Sequence, residues 1–248
     1  MIYRLLCLAI MISTAQASDF LDKWPTGKTE SMTYEIRTFK PSETTNYNRV
    51  SITKGNDGVF TVKQTMEIPG QKVKITSLEK YVGRNIRLIS SENTFKFPEI
   101  MKEKLKTDSL VIKAKVVGDS LDITANADIV QVGKIAFGPD CVTSTGSQLM
   151  ARSMDFEVGK TIKYSFVNLL QLSNQQFSPI EVIDSVVGRQ QVTTPLGTFD
   201  CYKVSNTVPG TKGYSYYTAD QVRLPVRIEL VDPESEEILM TLILQNYE

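Results

Sequence analysis

The chain contains no histidine. That absence removes the Ser-His-Asp and Cys-His constellations, histidine-ligated zinc, and the one side chain whose ordinary pKa lies between pH 5 and 8. No charge of either sign is in surplus: Lys and Arg number 28, and so do Asp and Glu. Nothing in the composition offers to neutralise a phosphate backbone, so nucleic acid is not an expected partner. Apolar runs fall short of the ~18 residues a spanning helix needs, and an integral membrane protein is not expected either. Cysteine occurs three times, never as C-x-x-C, which argues against a thiol-redox enzyme. No G-x-S-x-G, H-E-x-x-H or G-x-G-x-x-G is present. Gly-Lys-Thr occurs at 27–29 and again at 159–161, but Asp22 and Met154 stand where a phosphate loop requires glycine. These triplets are read as turns. No cofactor, metal site or catalytic residue is assigned, and the chain is expected not to be an enzyme.

What is present begins with a leader. Arg4 precedes the short apolar core Leu5–Ile12, and Ala15-Gln16-Ala17 is a small-x-small cleavage site, which places the cut between Ala17 and Ser18. Residues 1–17 are therefore expected to be a signal peptide. No cysteine follows the cut for lipid attachment, and a periplasmic or secreted location is expected. Removal of the leader takes Cys7 with it and leaves Cys141 and Cys201. These two are a candidate disulfide in an oxidising compartment; the alternative is a pair of separate buried thiols.

Residues 18–145 read as an N-terminal antiparallel β half. Five extended runs lie between Ser31 and Phe95, punctuated by Lys54–Gly58, Pro69-Gly70 and Gly83–Asn85. The alternation is clearest where Phe60, Val62, Met66 and Ile68 interleave with Thr61, Lys63, Thr65 and Glu67, the pattern of a strand with one buried face. Pro98–Leu105 and Ser147–Arg152 are expected as two short helices, the second capped by Thr145 or Ser147. Between them Leu110–Val116 and Leu121–Ile123 form a further hairpin.

Residues 146–248 form the C-terminal block, a β-meander cut by Thr194–Gly197, Val208–Gly210, Ala219-Asp220 and Asp232–Glu234. In its last run Ile238, Met240, Leu242 and Leu244 share one face, and Leu239 and Ile243 share the other. A strand apolar on both faces belongs inside a sheet, not at its edge. The carboxylates Asp232, Glu234, Glu236 and Glu237 sit on a polar hairpin tip and read as a solvated turn. Trp24, Tyr214, Tyr216 and Tyr217 are the candidate ligand-lining residues, an apolar groove rimmed by hydroxyls; ordinary cross-strand packing is the alternative. The Gly-Lys-Thr that opens each half suggests two similar halves, with coincidence as the competing reading.

The C-terminal block resembles an exported bacterial family of unknown function, DUF3108. The residues that carry the likeness are Val192-Thr193-Thr194-Pro195-Leu196-Gly197-Thr198-Phe199-Asp200-Cys201-Tyr202-Lys203-Val204, then Tyr216-Tyr217 and Val222–Arg227, with Phe156–Tyr164 leading in. The resemblance implies a curved antiparallel sheet similar to the lipoprotein-carrier half-barrels that enclose acyl chains. It carries no catalytic residue with it. The expected fold class is accordingly mainly β: a curved sheet or half-barrel built from meanders, with two short helices. The expected function is non-enzymatic binding of a lipid or other hydrophobic small molecule, with docking of another envelope protein as the alternative.

Overall fold

The computed structural model describes residues 20–38, 45–69, 72–83, 86–99, 102–103, 106–128, 132–170 and 177–248. Eight strands precede the single complete helix among them: β1 (Thr29–Thr38), β2 (Asn46–Lys54), β3 (Val59–Ile68), β4 (Val73–Val82), β5 (Arg87–Lys96), β6 (Ser109–Val117), β7 (Ser120–Ala125) and β8 (Gly133–Ala136). The short β9 (Cys141–Thr143) runs straight into helix α1 (Ser144–Ser153). Then come β10 (Thr161–Val167), β11 (Ile180–Thr194), β12 (Gly197–Val208), β13 (Thr211–Thr218), β14 (Pro225–Val231) and β15 (Ile238–Tyr247).

All fifteen strands join in one curved sheet that does not close into a barrel, in the order β8 to β1 followed by β15 down to β9. Every pairing is antiparallel except β9 on β10. The first and last strands are thus neighbours in the middle of the sheet, Tyr34 opposite Leu244 and Ile36 opposite Leu242. The two halves of the chain are consequently parts of one hydrogen-bonded surface. β15 is central, as its two apolar faces require. The curvature brings β9, at one end of the sheet, back against β5, and α1 against β3 and β4.

Alternation decides what fills the concave side. Met32, Tyr34, Val50, Ile52, Phe60, Val62, Leu88, Phe95, Leu110, Ile112, Leu121 and Ile123 are all buried in one cluster. Leu149 of α1 and Phe177 join the same cluster. Burying these side chains at about 25 cal/mol per Å² of apolar surface is the main stabilising term for the sheet. Gly27 and Gly159, from the two Gly-Lys-Thr triplets, both have positive φ (75° and 93°) and turn the chain into β1 and β10. They are turns, and glycine fits them because it has no Cβ to clash.

One expected helix is corrected in position. α1 begins at Ser144 rather than beyond Thr145, and Thr143 stands at its N-cap without capping it. The Thr143 hydroxyl instead donates to Glu79 Oε2 at 2.6 Å. A second correction concerns the number: the described residues hold one complete helix, not two. Of 98–105, only Glu99, Lys102 and Glu103 are seen in helical conformation, with Lys102 N–H donating to Pro98 O at 3.1 Å. Residues 100, 101, 104 and 105 lie outside the described residues, as does the expected leader with Ala17 and Ser18.

α1 is fixed to the sheet by a buried polar knot. Glu79 of β4 is 1% exposed and accepts from the Tyr81 hydroxyl, from Thr143, and from Ser91 Oγ at 2.9 Å. Tyr81 in turn meets Thr145 Oγ1 at 3.1 Å. Burial pushes the Glu79 carboxyl above its ordinary range, against the pull of these hydrogen bonds. Gly146 passes directly over the Tyr81 ring, close enough that a Cβ there would lie 2.7 Å from Tyr81 Cε1.

Candidate functional site

A half-open pocket of about 550 Å³ lies at the seam where the two halves of the chain meet. Its volume is in the usual range for small-molecule sites. Stretches far apart in the chain build it: the 20–28 segment, Glu30 and Tyr247 on the neighbouring strands β1 and β15, Arg152 on α1, and the 221–223 turn.

The first wall is positioned by β2 and β3. Lys54 Nζ donates to Leu21 O at 2.8 Å, Gly27 N–H donates to Lys54 O at 2.7 Å, and Thr26 makes a bridge to Lys54. Trp24 meets Phe60 edge to face at 5.9 Å and Phe20 at 5.5 Å, the geometry aromatic quadrupoles favour. This segment therefore presents an aromatic floor with Lys23 and Lys28 exposed beside it.

The opposite wall is an ion pair. Arg152 reaches Glu30 through two prongs, Nη1 to Oε1 at 2.5 Å and Nη2 to Oε2 at 3.0 Å. The same Nη2 donates to Val222 O at 2.7 Å. The guanidinium lies 4.6 Å from the Trp24 ring centroid and 5.3 Å from that of Phe20, within cation–π range. Arg152 Nε is buried and has no hydrogen-bond partner among the described residues.

The third side is the 219–224 turn. Asp220 Oδ1 accepts from the N–H groups of Val222 (2.9 Å) and Arg223 (3.1 Å) and from Thr218 Oγ1 (2.7 Å). That Asx-type arrangement holds Arg223 at φ +52°, a conformation non-glycine residues seldom adopt. Arg223 Nη1 then donates to the carbonyls of Arg152 (2.9 Å) and Met154 (2.8 Å), and its guanidinium lies 5.3 Å from Phe20. Burial lowers the Arg223 pKa, Asp155 opposes that, and the Arg152 charge adds to the lowering.

Of the four aromatics singled out in the sequence, only Trp24 lines this pocket. Tyr217 is buried against Phe156 at 5.3 Å, in a cluster with Met154, Val186 and Val204. Tyr216 is buried and donates its hydroxyl to Glu229 Oε2 at 2.8 Å. Tyr214 lies under Lys203 at 3.8 Å, with Lys212 at 5.4 Å. None of the three tyrosines lines this pocket, because β13 sends its side chains to both faces in turn.

Cys141 and Cys201 are separate, buried free thiols. They stand on β9 and β12, three strands apart in the sheet order, which is about 14 Å at the spacing of neighbouring strands. A disulfide needs Cα atoms within roughly 7 Å. Burial raises both thiol pKa values to about 12.

Sequence reading missed Arg152, Glu30, Arg223, Phe20, Lys23, Lys28 and Tyr247. One signal for them existed: Arg152 is the single charge in the helix sequence STGSQLMARS. Among the described residues no three His, Cys, Asp or Glu side chains gather as a metal site would require, and no helix is long and apolar enough to cross a membrane.

No curated protein matches the chain. Its fold is similar to that of the β-barrel-like protein of the DUF1849 family from Brucella abortus, with a TM-score of 0.56 at 7% identity over 89% of this chain and 97% of that one. A putative exported protein of YmcC-like fold from Bacteroides fragilis aligns over 90% of this chain and 97% of its own, at 12% identity and a TM-score of 0.31. That last alignment is too loose to carry an argument. Residues 33–241 match the family described as Protein of unknown function (DUF3108). That span runs from β1 into β15 and takes in both halves of the sheet, so the chain belongs to the DUF3108 family.

Proposed function

We propose that this is a non-enzymatic, exported protein that binds a lipid-like ligand, and that the seam pocket is where it does so. The observation that carries the reading is the pocket itself: about 550 Å³, floored by Phe20 and Trp24 and flanked by Pro25, Val222 and Tyr247. Trp24 is itself buried, but Phe20 and Tyr247 leave aromatic surface open to solvent, and such surface is what an apolar ligand covers favourably. The leader at residues 1–17 supports a periplasmic or secreted location, where lipid-like molecules need a soluble carrier. The concave side of the sheet is filled by its own side chains, so the seam is favoured over the interior of the curve as the binding place.

The test is native mass spectrometry of the mature protein purified from its own compartment. A co-purified mass that extracts into organic solvent supports the reading and identifies the ligand class. A bare polypeptide that also takes up no apolar dye counts against it.

A second reading, docking of another envelope protein, is favoured by one observation. β8 is a four-residue strand, mostly exposed, that stands at the edge of the sheet and pairs with β7 alone among the described residues; open edges of this kind accept an added strand. A stoichiometric partner captured by the wild type, and lost when a proline replaces Ile135, supports this reading over the first.

A further inference from the structure

The buried face of β2–β5 carries a polar island inside an apolar surface. Register sets Gln64 of β3 opposite Ser77 of β4, and Ser77 opposite Asn93 of β5. Glu79 and Ser91 oppose each other two residues further along β4 and β5. All five, with Asn48 of β2, are 9% exposed or less. Val50, Val62, Phe95 and Ile112, on the same four strands and β6, are buried in the apolar cluster beside them. Polar groups in such a place are costly unless each finds a hydrogen bond.

Most of them do, but in two separate groups. In the first, Gln64 Nε2 donates to Asn48 Oδ1 at 3.0 Å. In the second, Asn93 Nδ2 donates to Ser91 Oγ at 2.9 Å, and Ser91 Oγ donates to Glu79 Oε1 at 2.9 Å. Glu79 also accepts from Tyr81 and from Thr143, just ahead of α1. Ser77 stands between the two groups and joins neither. Its Oγ and the Asn93 Oδ1 are both buried without a hydrogen-bond partner among the described residues. Turning the Asn93 amide over does not help, because Nδ2 then becomes the unmet atom.

Residues opposite each other in an antiparallel pair hold their Cβ atoms about 4.5–5.5 Å apart. Between the Ser77 hydroxyl and the Asn93 amide that span suits a molecule the size of water. Room is provided by small side chains on three adjoining strands: Ser77, Ser91, and Ala114 opposite Ser91 on β6. A polar space inside a protein holds water, which typically makes about three hydrogen bonds there. Water both donates and accepts, so it serves either orientation of the Asn93 amide.

We propose that one ordered water is bound within the sheet, held by Ser77 Oγ, the Asn93 side-chain amide and the Gln64 amide oxygen. This site is independent of the seam pocket and of any ligand there. Its water joins the two groups into one network that runs from Asn48 on β2, through Glu79, to Thr143 at the foot of α1.

A crystal structure of the mature protein, at a resolution that shows ordered solvent, tests this directly. Density is expected within about 2.7–3.2 Å of both Ser77 Oγ and the Asn93 amide. A dry contact there, with Ser77 Oγ bonded to a protein group, overturns the proposal. Urea unfolding of Ser77→Ala gives a second, independent measurement. A hydroxyl buried without a partner opposes folding, so its removal would leave stability unchanged or raised. A hydroxyl that holds a water supports folding, and its loss is expected to lower the folding equilibrium constant about fivefold, the size of one hydrogen bond. Ser77→Ala as stable as the wild type, or more so, therefore also overturns the site.

Discussion

Arg152 and Glu30, 122 positions apart in the chain, form a two-pronged ion pair with side chains 1% and 9% exposed. One belongs to the helix that opens the second half and the other to the first strand of the sheet. The pair thus fixes α1 against the centre of the sheet, next to the seam between β1 and β15.

Removing one partner of a buried pair leaves the other charged and unanswered. Glu30→Ala is therefore expected to destabilise the fold by roughly 3–5 kcal/mol. The double replacement of Glu30 and Arg152 by methionine should recover most of that loss, because it removes both charges and keeps apolar volume. Urea unfolding followed by far-ultraviolet circular dichroism measures both. Equal stability of Glu30→Ala and the wild type would mean that the pair is solvated in solution.

Stability should fall as the pH rises through weakly acid values. Asp184 is fully buried, and burial raises its pKa from 3.8 to about 6, against the hydrogen bonds it accepts from Asn206 and Tyr164. Between those two values the native protein still holds a proton that the unfolded chain has released. The native state is thus favoured at the acid end, and the advantage is lost as the pH climbs to the folded pKa, a change of roughly 3 kcal/mol. Glu79, also raised by burial, acts with the same sign. Unfolding free energies taken from about pH 4 to about pH 7 should decline in the wild type, and less steeply in Asp184→Asn. An identical slope in the two proteins would assign the dependence elsewhere.

Gly146→Ala should destabilise although alanine is the better helix former. The gain from helix propensity is about 1 kcal/mol, but the new Cβ would meet the Tyr81 ring at 2.7–2.9 Å. Tyr81 cannot easily give way, since its hydroxyl is engaged with Glu79, Thr143 and Thr145. Overpacking of this kind costs about 1–3 kcal/mol, so a net loss in the denaturation midpoint is expected. Gly146→Ala in a Tyr81→Phe background should lose less. A stabilised Gly146→Ala would mean that α1 sits further from the sheet.

Cys141 and Cys201 should remain unreactive in the native protein and become reactive together on unfolding. Both are buried, and thiolate is scarce at neutral pH when the pKa lies near 12. A thiol reagent added with and without denaturant, with intact mass as the readout, decides this. Protein two mass units lighter than the reduced chain would require the β9 and β12 segments to lie elsewhere.

Much of the fold could be read from local pattern. The alternation of Phe60, Val62, Met66 and Ile68 with polar neighbours appears as β3, although only Phe60 and Val62 of the four are fully buried. The Thr194–Gly197 turn joins β11 to β12 as its residues demand, and Gly197 has φ +130°. The hydrophobic run Ile238–Leu244 indicated an interior strand, and β15 lies between β14 and β1. The four-residue β8 and three-residue β9 escaped notice because segments so short carry no measurable period. The start of α1 was misplaced because Thr143 looks unremarkable until Glu79, far away in the chain, claims its hydroxyl.

The candidate site was scarcely legible, and for a physical reason. Its residues come from positions 20–30, 152, 221–223 and 247, so no window of sequence contains it. Trp24 was among the candidate lining residues and does line the pocket, but the tyrosines chosen with it do not. By itself the sequence determined most of the strands, their turns and the absence of histidine chemistry, because each of these depends on neighbours in the chain. Only the tertiary structure decided that the first and last strands pair in the middle of one sheet. That pairing brings Glu30 beside Tyr247, and the curvature lays α1 across the seam to place Arg152 against both. Hydrogen bonds between distant strands and the charge of a distant helix made the pocket, and local pattern contains neither.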